Sequence, residues 1–324
     1  MYKRIRNAKI IHNVQKNCNR KQWTCMFPGC DKTAINSHYL QQRGILNTIS
    51  ISHNYVMFQR KNIMNDNDTE RSIIVPTNKG IHHVLTQPIF CTEHDTSLFQ
   101  KIEQREIDFS DKESLLLLCY RTICGELRKV EKCLFELLSI YSYPEIEILD
   151  QEYSNRLIAI CNYYQRIKLR IEEDLLFFQN GNNTEISTKY IFVHLSLPKL
   201  EIFGSGIAGG SIITNNMQKN YSYYFIHIIP QRDSLHLLFI YDIDNISTAD
   251  LLDILGWETK SIKDLGCQLT YLLSHKIEGF GMSKELFNLI APESIEKFCS
   301  IIAKSGLGII NNEEFTFDLF KGIL

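Results

Sequence analysis

Cys25-Met-Phe-Pro-Gly-Cys30, then Asn36-Ser37-His38, then Cys91-Thr-Glu-His94-Asp95 are the segments on which the reading of this chain turns. Pro28 and Gly29 place the first cysteine pair in a tight turn, a knuckle in which two thiolates converge on one ion. The second pair has x2 spacing. Residues 92–104 carry Leu98, Phe99 and Ile102 as an inward face, so Cys91 and His94 fall in the first turn of a helix, whose N-terminus favours thiolate charge. Three sulfurs and one imidazole form a closed Cys3His set, the habit of structural zinc. Cys25, Cys30, Cys91 and His94 are therefore the expected Zn2+ ligands. Such a site supplies ~10–16 kcal/mol of apparent binding free energy, enough to fold a unit too small to hold itself. The competing reading makes Cys25 and Cys30 free thiols and Cys91-x2-His94 an ordinary helix start.

The rest of the composition bounds the setting. The chain has 324 residues, 44% hydrophobic and 22% charged, with a net charge of -2. These are values of a soluble globular protein with a sizeable core, and the apolar fraction excludes disorder as the main state. At about 150 residues per domain the length suggests two domains. No run reaches the ~18–20 apolar residues of a spanning helix, so no membrane partner is expected. The start lacks the apolar core of a secretory signal, which points to the cytoplasm and to reduced cysteines. Cys119, Cys124, Cys133, Cys161, Cys267 and Cys299 lie in segments of helical apolar spacing and read as small buried hydrophobes. Lys3, Arg4, Arg6, Lys9, Lys16, Arg20 and Lys21 precede the first acid, Asp31. Such an opening is either a polyanion-binding field or a solvated terminus.

The organisation follows from periodicity. Residues 20–105 are rich in Asn, His and Cys and read as a loop-rich unit that needs a staple. From 111 to 141, Leu116, Ile123, Leu127, Val130, Leu134 and Leu138 recur at helical spacing, with Asp111 as N-cap and Tyr143-Pro144 as stop. A second long helix is expected over 150–178 and ends before Gly181. The two pack as an antiparallel hairpin. Residues 187–243 alternate β-rich runs with Gly, Asn and Asp turns, a small antiparallel sheet. Residues 247–324 read as a helical tail with Ser247 and Ser283 as caps. The expected fold class is α+β, divided into a 1–105 metal-stapled module and a 106–324 helical and β region that senses or recruits a partner.

With a knuckle, a following histidine and a helix opened by a second ligand pair, residues 20–105 resemble the treble-clef module of the HNH endonucleases. The resemblance covers about a third of the chain. It implies that His38, eight residues after Cys30, is the general base, and that Asp95 stands where the family places a helix histidine that ligates a catalytic divalent ion. That ion would be Mg2+ or Mn2+, held by Asp95 with His53 or a backbone group, and the chemistry phosphodiester hydrolysis. Asn78 is a looser match to the family's middle Asn. The chain departs from the pattern at Ser37, where an acidic or His ligand is usual, at Asp95 itself, and in the enlarged loop between the ligand pairs. Residues Ser37-His38-Tyr-Leu-Gln-Gln with the downstream Cys91–Asp95 segment are also similar to uncharacterised bacterial proteins associated with phage defence. The resemblance thus implies a nucleic-acid partner and an endonuclease of a defence system. Read from the residues alone, His38 is equally a hydrogen-bonded structural histidine or a substitute zinc ligand. His53 and His82-His83 lack a placed partner, and Asp95 is also a plain first-turn acid. The rival class is a non-catalytic module in which zinc only staples the fold and the C-terminal region binds a protein.

Three further features carry less. Phe203-Gly-Ser-Gly-Ile-Ala-Gly-Gly210 matches neither a P-loop nor a dinucleotide fingerprint and reads as a turn or bulge with positive φ. Tyr221–Tyr224, near Lys219 and Arg232, reads as strand core rather than a base-stacking platform, and Trp257 and Phe280 read as packing residues.

Overall fold

The computed structural model describes residues 2–64, 70–103, 106–143, 151–181, 183–215, 218–231, 233–257, 264–305 and 316–324. Helix α1 (Tyr2–Arg20) is followed by the knuckle, strand β1 (Asn36–His38), a helical turn at Gln42–Ile49, and strands β2 (Asn54–Met64), β3 (Glu70–Gly80) and β4 (Thr86–Pro88). Helices α2 (Thr92–Phe99), α3 (Lys112–Tyr141), α4 (Gln151–Asn180) and α5 (Asn183–Lys189) come next. Strands β5 (Tyr190–Pro198), β6 (Ile202–Asn215), β7 (Gln218–Gln231) and β8 (Ser234–Asp242) follow. The chain closes with α6 (Thr248–Gly256), α7 (Leu265–Tyr271), β9 (Phe280–Ser283), α8 (Lys284–Leu289) and α9 (Pro292–Ser305). Mixed helix and antiparallel sheet is the α+β class.

The expected small sheet is part of a larger one. Seven strands run in the order β3-β2-β9-β6-β7-β8-β5, every neighbouring pair antiparallel. Its four central and outer strands from 190 to 242 are those the β-rich runs predict. The others come from elsewhere: β2 and β3 lie between the two ligand pairs, and β9 lies in the tail expected to be helical. Tyr55 pairs with Ser283 and Ile202 with Met282, so β9 bridges the two groups of strands. The sheet therefore takes strands from both sides of residue 105.

Alternation along the strands sorts side chains onto two faces. Tyr223, Phe225 and Ile229 of β7 join Leu238 and Ile240 of β8 in one core, against Leu118, Ile123 and Leu127 of α3 and Ile171 of α4. That same core contains Cys25, Tyr39, Leu40, Phe90, Cys91 and Phe99. Tyr224, Ile226, Ile228, Leu237 and Phe239 face the other way, onto Leu269, Leu272 and Phe298 of the C-terminal helices. The result is three layers, with the N-terminal module and the α3–α4 hairpin on one face of the sheet. Tyr223 and Tyr224 are buried, as core aromatics of a strand are.

The hairpin forms as the periodicity predicts. Asp111 caps α3 by accepting the Glu113 N–H, and the Gly181 N–H bonds to the Phe177 carbonyl at the end of α4. Leu138 and Ile158 are exposed rather than inward, since the apolar stripe drifts round each long helix. Ser247 and Ser283 cap α6 and α8. The basic N-terminal segment is a helix, not a solvated tail: Ile10 and Val14 pack on Ile140 and Leu157. The side chains of Lys3, Arg4, Arg6 and Lys9 lie outside the described residues, as does the whole of Arg232 and the side chain of Lys219. Among the described residues no helix is long and apolar enough to cross a membrane. All ten cysteines are free. Cys119, Cys124 and Cys161 are buried as expected, while Cys133, Cys267 and Cys299 are half-buried.

The glycine-rich run lies within β6, where the register slips between Gly209 and Ser211. Gly209 has φ +112°, and a Cβ there would meet the Ser222 carbonyl at 2.8 Å. This is the bulge that the glycines predict. Gly209→Ala is expected to lower the unfolding free energy by about 1–3 kcal/mol, read from a denaturant midpoint shift at constant slope.

Candidate metal centre

The two ligand pairs come together because β1 and β4 pair. Asn36 sits opposite Pro88 and His38 opposite Thr86, so the long intervening segment is a loop closed at its base. Its β2–β3 hairpin leaves the module to join the large sheet. The knuckle is built by the Cys25 N–H to Lys32 carbonyl bond (2.8 Å), the Cys30 N–H to Phe27 carbonyl bond (3.1 Å) and a bridge between Thr24 and Thr33. Gly29 turns it with φ +73°. The Met26 N–H donates to the Ile89 carbonyl at 2.9 Å, which fixes the knuckle beside the start of α2. From α3, Arg128 donates to the Thr24 carbonyl at 2.6 Å and stacks on Trp23 at 4.8 Å.

Cys91 is the N-cap residue of α2, with its carbonyl accepting the Asp95 N–H at 2.9 Å. His94, one turn in, swings its imidazole back over the knuckle and stacks on the Phe27 ring at 3.9 Å. The ligand atoms of Cys25, Cys30, Cys91 and His94 all lie within 4.8 Å of one another. His94 Nδ1 is 3.5 Å from Cys25 Sγ and 3.3 Å from Cys91 Sγ, and Cys30 Sγ is 4.0 Å from Cys91 Sγ. Zn–S and Zn–N bonds of about 2.3 and 2.0–2.1 Å in a tetrahedron require edges of about 3.8 Å for S–S and 3.6 Å for S–N. The three separations bracket those edges and the longest in the set is about 1 Å over them, so the four groups could hold a metal ion after a small contraction. The His94 backbone N–H, pointing at Cys91, lowers that thiol below its ordinary value, and burial raises that of Cys25. A cation offsets the second effect and is assisted by the first.

Beside this centre, His38 is half-buried at the end of β1. Its Nε2 lies 2.9 Å from the Ile81 carbonyl. A carbonyl only accepts, so Nε2 carries the hydrogen and the neutral ring presents Nδ1 as a lone pair. Burial holds the imidazole below its ordinary pKa, and the charges of Arg121, Asp95 and Glu103 all act on it. Asp95, Glu103 and Arg121 form one charge cluster whose field reaches His38, and two of the three are residues that the motif reading missed. Arg121, 2% exposed, sends Nη1 to Glu103 Oε1 at 2.7 Å and Nη2 to Asp95 Oδ1 at 3.5 Å. Its guanidinium lies 4.3 Å from the Phe99 ring centre. The signal was present: Arg121 lies on the buried stripe of α3 with Leu118 and Thr122, and a charge on an apolar stripe demands buried partners.

The other sequence candidates lie apart from this cluster. His53 is exposed with φ +51° in the turn before β2, a turn tied to α8 by Ser50 and Ser52 bonding to Glu285. Asn78 is exposed on β3, and His82, exposed, contacts Gln42 at 3.4 Å. Ser37 is fully buried and its Oγ accepts the Phe90 N–H at 3.3 Å. It clamps the strand to α2's entry rather than facing an ion. No protein-family model, no curated protein and no solved structure matches this chain.

Proposed function

We propose that the chain is a nucleic-acid-binding protein whose N-terminal module is a zinc-stapled treble clef of the HNH endonuclease type, with His38 as its general base. The order knuckle, paired strands β1 and β4, then helix with ligand pairs on knuckle and helix start supports the treble-clef reading. Cys3His chemistry selects zinc among common ions. The observation that carries the catalytic reading is the 2.9 Å contact of His38 Nε2 with the Ile81 carbonyl. A neutral imidazole whose Nε2–H is fixed on Ile81 keeps its Nδ1 lone pair for a proton from water or a sugar hydroxyl. Exposed Lys16, Arg20 and Lys21 at the end of α1 lie just before the knuckle in sequence and supply positive charge for phosphates.

The test is cleavage of plasmid DNA and of single-stranded RNA by the zinc-loaded chain, with and without Mn2+. His38→Ala is expected to reduce turnover by about 10²–10⁴-fold while metal content stays unchanged. Turnover that His38→Ala leaves intact rejects the assignment. One observation favours a second reading, a non-catalytic module that binds a protein or nucleic acid partner: Asp95 is occupied by Arg121 and Ser37 is buried. That reading expects no His38-dependent turnover in any of these assays.

A further inference from the structure

The resemblance places a hard divalent ion, about 2.0–2.6 Å from its ligand oxygens, beside the general base. The acid that the resemblance places at the ion, Asp95, shares its cluster with Glu103, and both face a guanidinium. We infer that Arg121 is the resident cation of the Asp95–Glu103 carboxylate pair, and that the position where the resemblance implies Mg2+ or Mn2+ is closed to a metal ion. The inference rests on the proposed placing of His38 and Asp95 in an HNH-type site.

Three observations support it. Arg121 is permanently charged and almost wholly buried, so it cannot step aside into water. It is held from both sides, by Glu103 and Asp95 on one edge and by the Phe99 ring against its face. Among the described residues its ion pairs are those with Asp95 and Glu103. A divalent ion on Asp95 would compete with Arg121 for that carboxylate and add two like charges beside it. The remaining position at which the family carries a ligand holds Ser37, whose hydroxyl is already committed to Phe90 and Ile35. The donor set therefore does not fit a second metal, and the guanidinium takes over the role of neutralising the acids.

The experiment is a Mn2+ titration of the full, zinc-loaded chain, followed by the paramagnetic resonance of free Mn2+. The unaltered chain is expected to bind no Mn2+ up to about 1 mM. Arg121→Met, if it folds with its zinc content intact, is expected to gain one Mn2+, and Arg121→Met with Asp95→Asn to lose it again. Mn2+ binding by the unaltered chain that Asp95→Asn weakens at least about tenfold overturns the inference. So does a folded Arg121→Met chain that gains nothing. If Arg121→Met fails to fold, the comparison of the unaltered and Asp95→Asn chains decides by itself. His38-dependent cleavage that requires Asp95-bound Mn2+ would keep the proposed function and reject this inference. Absence of both cleavage and Mn2+ binding would do the reverse.

Discussion

Chelating the metal is expected to loosen residues 22–40 and 86–103 while leaving strands β5–β8 protected. Three thiolates and an imidazole converge within 4.8 Å, and without a cation their charges repel or take up protons. Cys25 and Cys91 are nearly inaccessible, at 6% and 4% exposure, so neither sulfur can relax into solvent where it stands. Structural zinc is worth ~10–16 kcal/mol in isolated finger peptides. The loss here is partial, because the module shares its core with α3 and the sheet face. Arg128 of α3, bonded to the Thr24 carbonyl and stacked on Trp23, limits the loosening. Hydrogen exchange before and after chelation reads the effect, and Cys91→Ser should reproduce it. Protection of residues 22–40 that is unaltered by chelation would mean that packing alone holds the knuckle.

The second large effect lies where α4 meets the sheet. Asp174, 1% exposed on α4, accepts from Arg170 Nη1 at 2.9 Å, Lys189 Nζ at 3.0 Å and the Tyr223 hydroxyl at 2.5 Å. Asp242, 3% exposed at the end of β8, accepts from Arg170 Nη2 at 3.1 Å and pairs with Lys189 at 3.3 Å. Two acids and two bases thus join α4 to β7 and β8. Removing one acid leaves two cations sharing a single buried counter-charge. Asp174→Ala is expected to destabilise the fold by about 3–5 kcal/mol, the usual consequence of breaking a buried pair from one side. Equilibrium urea unfolding measures it. A change under about 1 kcal/mol would place this network with solvent-screened surface pairs, against its burial.

Much of this architecture was readable beforehand, for local reasons. Pro28-Gly29 between two cysteines specifies a turn whatever surrounds it, and Cys91-x2-His94 ahead of an inward Phe99 specifies a helix start. The α3–α4 hairpin followed from apolar periodicity with Asp111 and Gly181 at its limits. The fate of residues 54–80 did not follow. Phe58, Ile73 and Ile74 carry strand character, but β9, the strand that links this hairpin to the sheet through Tyr55–Met57, is four residues long and embedded among helices. Only tertiary pairing of Tyr55 with Ser283 makes either segment a strand of the large sheet. Arg121 escaped for a related reason: its partners Asp95 and Glu103 belong to another element, and a motif scan of residues 20–105 does not reach α3. His53 does not join Asp95, because the chain carries its turn toward Glu285.

Metal stoichiometry tests the account at its root. Native mass spectrometry of the full chain, paired with the absorption spectrum of the Co2+-exchanged form, should show one ion per chain. The spectrum should carry sulfur-to-metal charge transfer and tetrahedral d–d bands, which Cys25→Ser, Cys30→Ser and Cys91→Ser each diminish and His94→Ala shifts. A chain that binds no ion, or one whose ion is indifferent to all four substitutions, would contradict it.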